Sequence, residues 1–137
     1  MKTVQHIAFN CRDLRVQEQF YTKHFGFRRA RVFNEGTPGE FIMLRLGTTC
    51  LELLSVQAGS EFQLGGTQPV GFKHLAFEVD DLDAAVAALQ ADGIETDQIK
   101  DCSSIVEGMH VCFFNDPDGN RLELTQGYQD QFFTFPG

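Results

Sequence analysis

The segments HIAFNCRDL at residues 6–14 and HLAFEVDDL at residues 74–82 are near copies of each other. Each begins with histidine, continues through an aliphatic residue, alanine and phenylalanine, and ends in Asp-Leu. Self-similar segments within one chain are typical of a duplicated structural module. We therefore expect two equivalent modules, each of which presents one histidine to a shared site.

Both segments begin with the alternation of a β-strand, in which successive side chains point to opposite faces. In the strand predicted at residues 3–11, His6 and Ala8 share one face, and Ile7 and Phe9 share the other. The strand predicted at residues 74–80 repeats this order. The apolar face of each strand is suited to covering by a helix, which leaves the histidine on the opposite face.

Each strand leads into a predicted helix. Asp13 has the position of an N-cap, and Gly26 that of a left-handed C-cap. The second helix starts at Asp81 or Asp83 and ends at Gly93, with apolar residues at helical spacing between them. The sequence thus predicts one helix after each histidine strand.

Three further strands are expected after each helix, separated by glycine-rich turns. Their predicted ranges are 28–33, 41–46 and 49–56 in the first half, and 94–99, 109–114 and 121–126 in the second. Asp116-Pro117-Asp118-Gly119 has the residue order of a type I turn. Both halves therefore read strand, helix and three strands, which predicts an α+β fold of two βαβββ modules.

The 137 residues suffice for a single domain with its own core. Within that domain we predict modules at 1–57 and 71–127, an inter-module linker at 58–70, and an apolar C-terminal tail at 128–137. Its last six residues, 132–137, contain three phenylalanines and no charge. Such a tail packs on the body, covers a cavity or meets another subunit, and we expect a homodimer.

The composition limits the class of partner. Nineteen acidic and 11 basic residues give a net charge of −8, which argues against a nucleic acid. Neither a membrane-spanning run nor a signal segment is recognisable, and the four cysteines form no C-x-x-C pair. We expect a cytoplasmic protein with reduced thiols, no membrane partner and a small-molecule substrate.

A basic cluster at Arg28, Arg29 and Arg31 stands out from this acidic background. It has two interpretations: contact with an anionic substrate tail, or a solvated edge strand that uses charge to avoid pairing with another strand. The sequence leaves both open.

A second repeated feature is Leu-Glu-Leu, at Glu52 in the first half and at Glu123 in the second. Together with His6 and His74, these carboxylates would give one cleft two imidazole and two carboxylate ligands. That set suits a divalent ion such as Zn, Ni, Co, Fe or Mn. Since the chain is long enough to fold without a metal, we expect the ion to be catalytic rather than structural.

The sequence resembles the vicinal-oxygen-chelate superfamily in its paired H-[IL]-A-F segments, its G-F and G-I helix ends and its run FFNDPDGNRLEL. That superfamily includes glyoxalase I, methylmalonyl-CoA epimerase, extradiol dioxygenases and fosfomycin or bleomycin resistance proteins. The resemblance covers nearly the whole chain. It implies two tandem βαβββ modules that form a curved mixed sheet around a metal cleft. It also assigns the metal ligands to His6, Glu52, His74 and Glu123.

By this resemblance the chain is a glyoxalase I- or methylmalonyl-CoA epimerase-like isomerase or lyase. Such an enzyme moves a proton next to a carbonyl through a metal-stabilised enediolate. Glu123 is the first candidate for the catalytic base and Glu52 the second. The substrate would be a small α-oxo compound, thioester or hemithioacetal. Glyoxalase I often has asparagine where this chain has Val56, which puts a glutathione substrate in doubt.

Two alternatives stay open within the same fold. A small-molecule-binding or resistance protein needs no metal ligands. An extradiol dioxygenase would use His6, His74 and Glu123 without a carboxylate at position 52, so Glu52 argues against oxygen chemistry.

Three more titratable residues have unassigned roles. His110, Glu35 and Glu40 either line the cleft or are structural and solvated residues. Tyr21, at helical spacing among apolar residues, is expected in the core.

Overall fold

The computed structural model describes residues 1–56, 59 and 72–131. Apart from Gly59, the predicted linker 58–70 lies outside the described residues, as does the end of the predicted tail, 132–137. The chain divides into two compact units, Met1–Pro69 with Asp116–Gly119, and Val70–Asn115 with Asn120–Gly137. The organisation as one domain of two modules, a linker and a tail stays a prediction.

The first unit has the predicted order of one strand, one helix and three strands. Its strands form a mixed sheet in the order β1-β4-β3-β2, in which β1 and β4 are parallel and the other pairs are antiparallel. The elements are β1 His6–Cys11, α1 Leu14–Phe25, β2 Arg28–Phe33, β3 Phe41–Leu46 and β4 Thr49–Ser55.

The second unit repeats this order, and its sheet runs β5-β8-β7-β6 with β5 and β8 parallel. Its elements are β5 Leu75–Glu78, α2 Leu82–Ala91, β6 Lys100–Asp101, β7 His110–Asn115 and β8 Arg121–Gln126. The α+β prediction is confirmed. Hydrogen bonding joins the described strands into two four-stranded open sheets, one in each unit, where a single curved sheet was expected.

One face of each sheet is the core of its unit. In the first unit α1 packs against β3 and β4, and the alternate strand residues Ile42, Leu44, Leu51 and Leu53 are fully buried. In the second unit α2 contacts β7 and β8, where Leu122 is likewise buried. Burying a leucine or isoleucine side chain stabilises a fold by about 1.5–3 kcal/mol, so this alternation fixes which face the helix covers.

Both helices begin as the sequence predicts. The Asp13 carboxylate accepts hydrogen bonds from the amides of Arg15 and Val16, and Asp81 accepts one from Ala84. The first helix ends at Gly26, whose φ of 73° is in the left-handed region that glycine adopts without a steric penalty. The caps therefore set where each chain segment turns back towards its sheet.

One predicted strand, 94–99, is wrong. Thr96 forms only an isolated bridge with Phe114, and the amide of Asp97 donates to the carbonyl of Phe113. Regular pairing resumes at Lys100–Asp101, against the opposite end of β7. The side chains of residues 94–99 alternate as those of a strand do. In the structure, however, two separate short segments pair with the two ends of β7: residues 96–97 with one end and Lys100–Asp101 with the other.

Two simpler expectations concern the cysteines and the membrane. All four cysteines are buried free thiols. Among the described residues no helix is both long and apolar enough to cross a bilayer.

Candidate functional site

His6 and Glu52 lie side by side in the first unit. They belong to the parallel neighbours β1 and β4, whose register aligns Ala8 with Glu52. His6 Nε2 is 3.9 Å from Glu52 Oε2. The Gln5 side-chain oxygen, which can only accept, is hydrogen-bonded to His6 Nδ1. In the tautomer that donates from Nδ1 to this oxygen, Nε2 has a free lone pair, as a ligating histidine requires.

His74 and Glu123 form the matching pair in the second unit. Glu123 is aligned with Ala76 across the parallel strands β5 and β8, as Glu52 is with Ala8. His74 Nε2 is 2.9 Å from Glu123 Oε2. The ring of Phe113 packs edge-on against the His74 imidazole, with 5.3 Å between the ring centroids. This aromatic contact restricts the orientation of the imidazole.

The two glutamates owe their positions to the leucines on either side. Leu51, Leu53, Leu122 and Leu124 are buried on the helix-covered faces. Because side chains alternate along a strand, each intervening glutamate emerges on the opposite face. The glutamate side chains remain only 21% and 14% exposed, so each carboxylate is partly desolvated beside its histidine.

The donor atoms of each pair can be compared with two ligands of one metal ion. Two ligands about 2.1 Å from an ion, at angles of about 90–109°, lie about 3.0–3.4 Å apart. The observed separations are 3.9 Å, which is longer than that range, and 2.9 Å, which is slightly shorter and is also the distance of a direct ion pair. Within residues 1–56, 59 and 72–131, no group of three or more His, Cys, Asp or Glu side chains is gathered closely enough to hold a metal. The structure therefore brings the four predicted ligands together as two separate pairs, one in each unit.

Two of the residues with open roles lie away from these pairs. The antiparallel register aligns Phe113 with Glu123, so His110 falls on the other face of β7. There it lies 3.7 Å from Asp101 and has its Nδ1 3.1 Å from the Gly108 carbonyl, which supports the structural alternative.

Glu40 is directed to the helix of the first unit. Its carboxylate is 2.6 Å from an Arg15 amino group and accepts the Gly36 amide, so it is a structural residue. Glu35 is exposed in the loop before β3, as expected of a solvated residue.

A buried polar network, which the sequence did not predict, lies within the first unit. The Tyr21 hydroxyl donates to Asp116 at 2.7 Å, and the Gln17 amide nitrogen donates to Asp116 at 3.1 Å and to Asp118 at 2.7 Å. Arg12 donates to Asp118 through its backbone amide and guanidinium. The Asp116–Gly119 turn is confirmed by the hydrogen bond from the Gly119 amide to the Asp116 carbonyl. Its two aspartates were recognised only as turn residues.

Burial in this network changes the acidity of its neighbours. Desolvation, with Asp116 nearby, strongly raises the pKa of Tyr21, so its hydroxyl remains a proton donor at neutral pH. Burial and the adjacent Asp118 also raise the pKa of Cys11 to about 12. A thiol of that pKa is a poor nucleophile, so Cys11 has a packing role.

The fold agrees with the family match. The model of the Glyoxalase/Bleomycin resistance protein/Dioxygenase superfamily matches residues 3–124, and the chain belongs to that superfamily.

Individual relatives are similar along nearly their whole length. The uncharacterized protein YwkD of Bacillus subtilis (strain 168) is 36% identical over 128 residues, which cover 90% of this chain and 96% of YwkD. A probable lactoylglutathione lyase of Vibrio parahaemolyticus is 29% identical over 133 residues, which cover 92% of this chain and 91% of that protein. The crystal structure of a glyoxalase family protein from Enterococcus faecalis superposes with a TM-score of 0.76 at 29% identity, and covers 90% of this chain and 97% of that one.

Proposed function

We propose that this protein is a metal-dependent isomerase or lyase that moves a proton next to a carbonyl group. His6, Glu52, His74 and Glu123 would hold a divalent ion such as Zn, Ni, Co, Fe or Mn. Glu123 is the leading candidate for the base, and Glu52 for the group that returns the proton. The proposed class is that of glyoxalase I and methylmalonyl-CoA epimerase.

The observation that carries the proposal is the repetition of one arrangement in both units. Each unit has a histidine at the start of its first strand, His6 as the first residue of β1 and His74 directly before β5, and a glutamate on its last strand, with 3.9 Å or 2.9 Å between them. Two ligands are too few for a catalytic site, which commonly has three or more protein ligands. The proposal therefore requires both pairs in one site, and a homodimer that combines pairs from two chains is the arrangement we favour.

The chemistry assigned to the glutamates follows from their setting. A divalent ion bound there would act as a Lewis acid towards the substrate carbonyl. Each carboxylate, held on a regular strand between two buried leucines, offers its oxygens at a fixed position to a carbon-bound proton. Their low exposure strengthens electrostatic interactions at this position relative to water.

The substrate is a small carbonyl compound in this proposal. The Vibrio relative described as a lactoylglutathione lyase supports a hemithioacetal. Val56, in place of the asparagine frequent in glyoxalase I, favours a thioester of the epimerase type. Parallel assays with methylglyoxal hemithioacetal and methylmalonyl-CoA distinguish these two substrates.

Metal content tests the proposal against a non-catalytic binding protein with the same fold. Purified protein should contain close to one divalent ion per four-ligand site, and added Ni, Co or Zn should raise its melting temperature. The change His6→Gln should abolish both effects, while His24→Gln, on the helix α1, should not. Protein that neither contains nor takes up a metal would favour the binding protein instead.

Solvent deuterium exchange tests the role of Glu123. Glu123→Gln should stop exchange into a true substrate, because an amide cannot accept the proton. Glu107→Gln, in an exposed loop, is the matched control and should exchange normally. Normal exchange in the Glu123 variant, with an intact fold by circular dichroism, would remove Glu123 from the role of base.

A further inference from the structure

Three arginines share the sheet face of His6 and Glu52 in the first unit. The backbone register aligns Arg45 of β3 with Cys50 of β4, which is itself aligned with His6. The same register aligns Arg28 with Arg45.

The next set of aligned residues on this face of the sheet also ends in an arginine on β2. Glu52 is aligned with Met43, and Met43 with Arg31. Partners across a sheet point to the same side, so Arg28, Arg31 and Arg45 emerge on the face of the histidine and glutamate.

A bulge in β2 produces this arrangement. Its register shifts between Arg29 and Arg31, so Arg28 and Arg31 reach one face although three positions separate them. Arg29 points to the opposite face, where its guanidinium forms an ion pair with Glu18 of α1. The sequence cluster of three neighbouring arginines is thereby divided, and Arg45 of another strand takes the place of Arg29.

These three arginines form no ion pair with the described part of the chain. Carboxylates lie within 4.0 Å of Arg12, Arg15, Arg29 and Arg121 there, but not of Arg28, Arg31 or Arg45. Arg28 also lies directly opposite Arg45, and like charges in that position destabilise a sheet. In a chain with a net charge of −8, this local accumulation of positive charge favours an anionic ligand.

An apolar surface lies beside the arginines. Met43 separates Glu52 from Arg31 in the row across the sheet. The rings of Phe33 and Phe41 stack with 4.3 Å between centroids, and the Arg31 guanidinium lies 5.6 Å from the centre of the Phe33 ring. The aromatic contact preorganises that guanidinium, since cation–π attraction holds it against the sheet.

From this arrangement we propose that the protein selects a carbonyl substrate that carries a phosphate group, and that Arg28, Arg31 and Arg45 bind this group. Arg31 is two strands away from Glu52, and strands are about 4.8 Å apart, so the phosphate would lie on the order of 10 Å from the reacting carbonyl. Three guanidinium groups match the charge and the several acceptor oxygens of a phosphate better than those of one carboxylate. This inference names a substrate class for the proposed function and rests on it.

Phosphorus NMR titration of the full chain with inorganic phosphate tests the proposal without metal or turnover. The wild type should bind phosphate saturably, and Arg31→Gln and Arg45→Gln should each weaken binding about tenfold or more, since each removes charge-assisted hydrogen bonds. Arg29→Gln is the matched control from the same strand, and it should bind phosphate as the wild type does.

Three results would overturn the proposal: no saturable binding by the wild type, equal weakening by Arg29→Gln, or succinate binding as tightly as phosphate, which would indicate a carboxylate substrate. The His6→Gln variant separates this inference from the proposed function, because it should lose metal uptake and still bind phosphate. Lost phosphate binding by Arg31→Gln with normal metal uptake supports the arginine site. If the wild type takes up no metal but binds phosphate through the arginines, the isomerase proposal fails while the anion site stands.

Discussion

Removing the Tyr21 hydroxyl should destabilise the first unit measurably. Tyr21 is fully buried, and its hydroxyl donates to Asp116 at 2.7 Å. In Tyr21→Phe the Asp116 carboxylate stays buried and loses one of its donors. A hydrogen bond to a charged group contributes about 1.5–3 kcal/mol to stability. For a domain of this length, that loss should lower the melting temperature by about 4–10 °C.

Thermal unfolding monitored by circular dichroism measures this effect. Tyr128→Phe is the matched control, because Tyr128 is 55% exposed and lies outside the buried network. Its melting temperature should equal that of the wild type. The change Asp116→Ala should cost more than Tyr21→Phe, since it leaves both the Tyr21 hydroxyl and the Gln17 amide without this acceptor.

A double-mutant cycle completes the test. If Tyr21 acts through Asp116, the cost of Tyr21→Phe should largely disappear in the Asp116→Ala background. A drop of less than about 1 °C for Tyr21→Phe alone, by the scaling above, would refute the reasoning that the buried carboxylate depends on this donor. Equal costs in both backgrounds would show that the two groups contribute independently.

Two further predictions concern pH and assembly. Burial raises the pKa of Cys11 from 9.0 to about 12, so its stabilising contribution is complete below pH 9.0 and is lost as the pH rises towards 12. Urea titrations above pH 9 measure how steeply the free energy of unfolding falls with pH. This fall should be smaller in Cys11→Ala than in the wild type, by up to about 1.4 kcal/mol for each pH unit. The same fall in both proteins would show that other groups cause it. The second prediction assumes a homodimer in which each site combines pairs from two chains. His6→Gln and His74→Gln chains, mixed in equal amounts and re-equilibrated, should then regain about a quarter of the wild-type sites. The reason is that half of the dimers are mixed, and one of the two sites in each mixed dimer is intact. No recovered deuterium exchange in the mixture would favour sites within one chain.

Most of the local structure could be predicted because its signals are short-range. Asp13 and Gly26 mark the ends of α1 through capping and left-handed geometry, which depend on a few neighbouring residues. The strand 94–99 was predicted wrongly because its pairing depends on β7, a segment distant along the chain. Periodicity identifies a segment able to pair, but not which residues meet a partner.

The two histidine–glutamate pairs were predictable for a similar reason. Strand alternation gives the face of each residue, and the repeat gives the equivalent positions in both halves. The spacing of 3.9 Å or 2.9 Å within a pair follows from the parallel neighbours β1 with β4 and β5 with β8, and from the register that aligns alanine with glutamate.

The sequence by itself determined the duplicated βαβββ order, the superfamily resemblance and the residue types offered for a metal. The tertiary structure decided which distant residues meet. It placed Asp116 against Tyr21 in a buried network, and it turned His110 to the other face of its strand. It also divided the arginine cluster, because a single-residue bulge changes the face of every side chain beyond it. Such register shifts have no periodic signature in the chain, since they arise only when one strand is hydrogen-bonded to another.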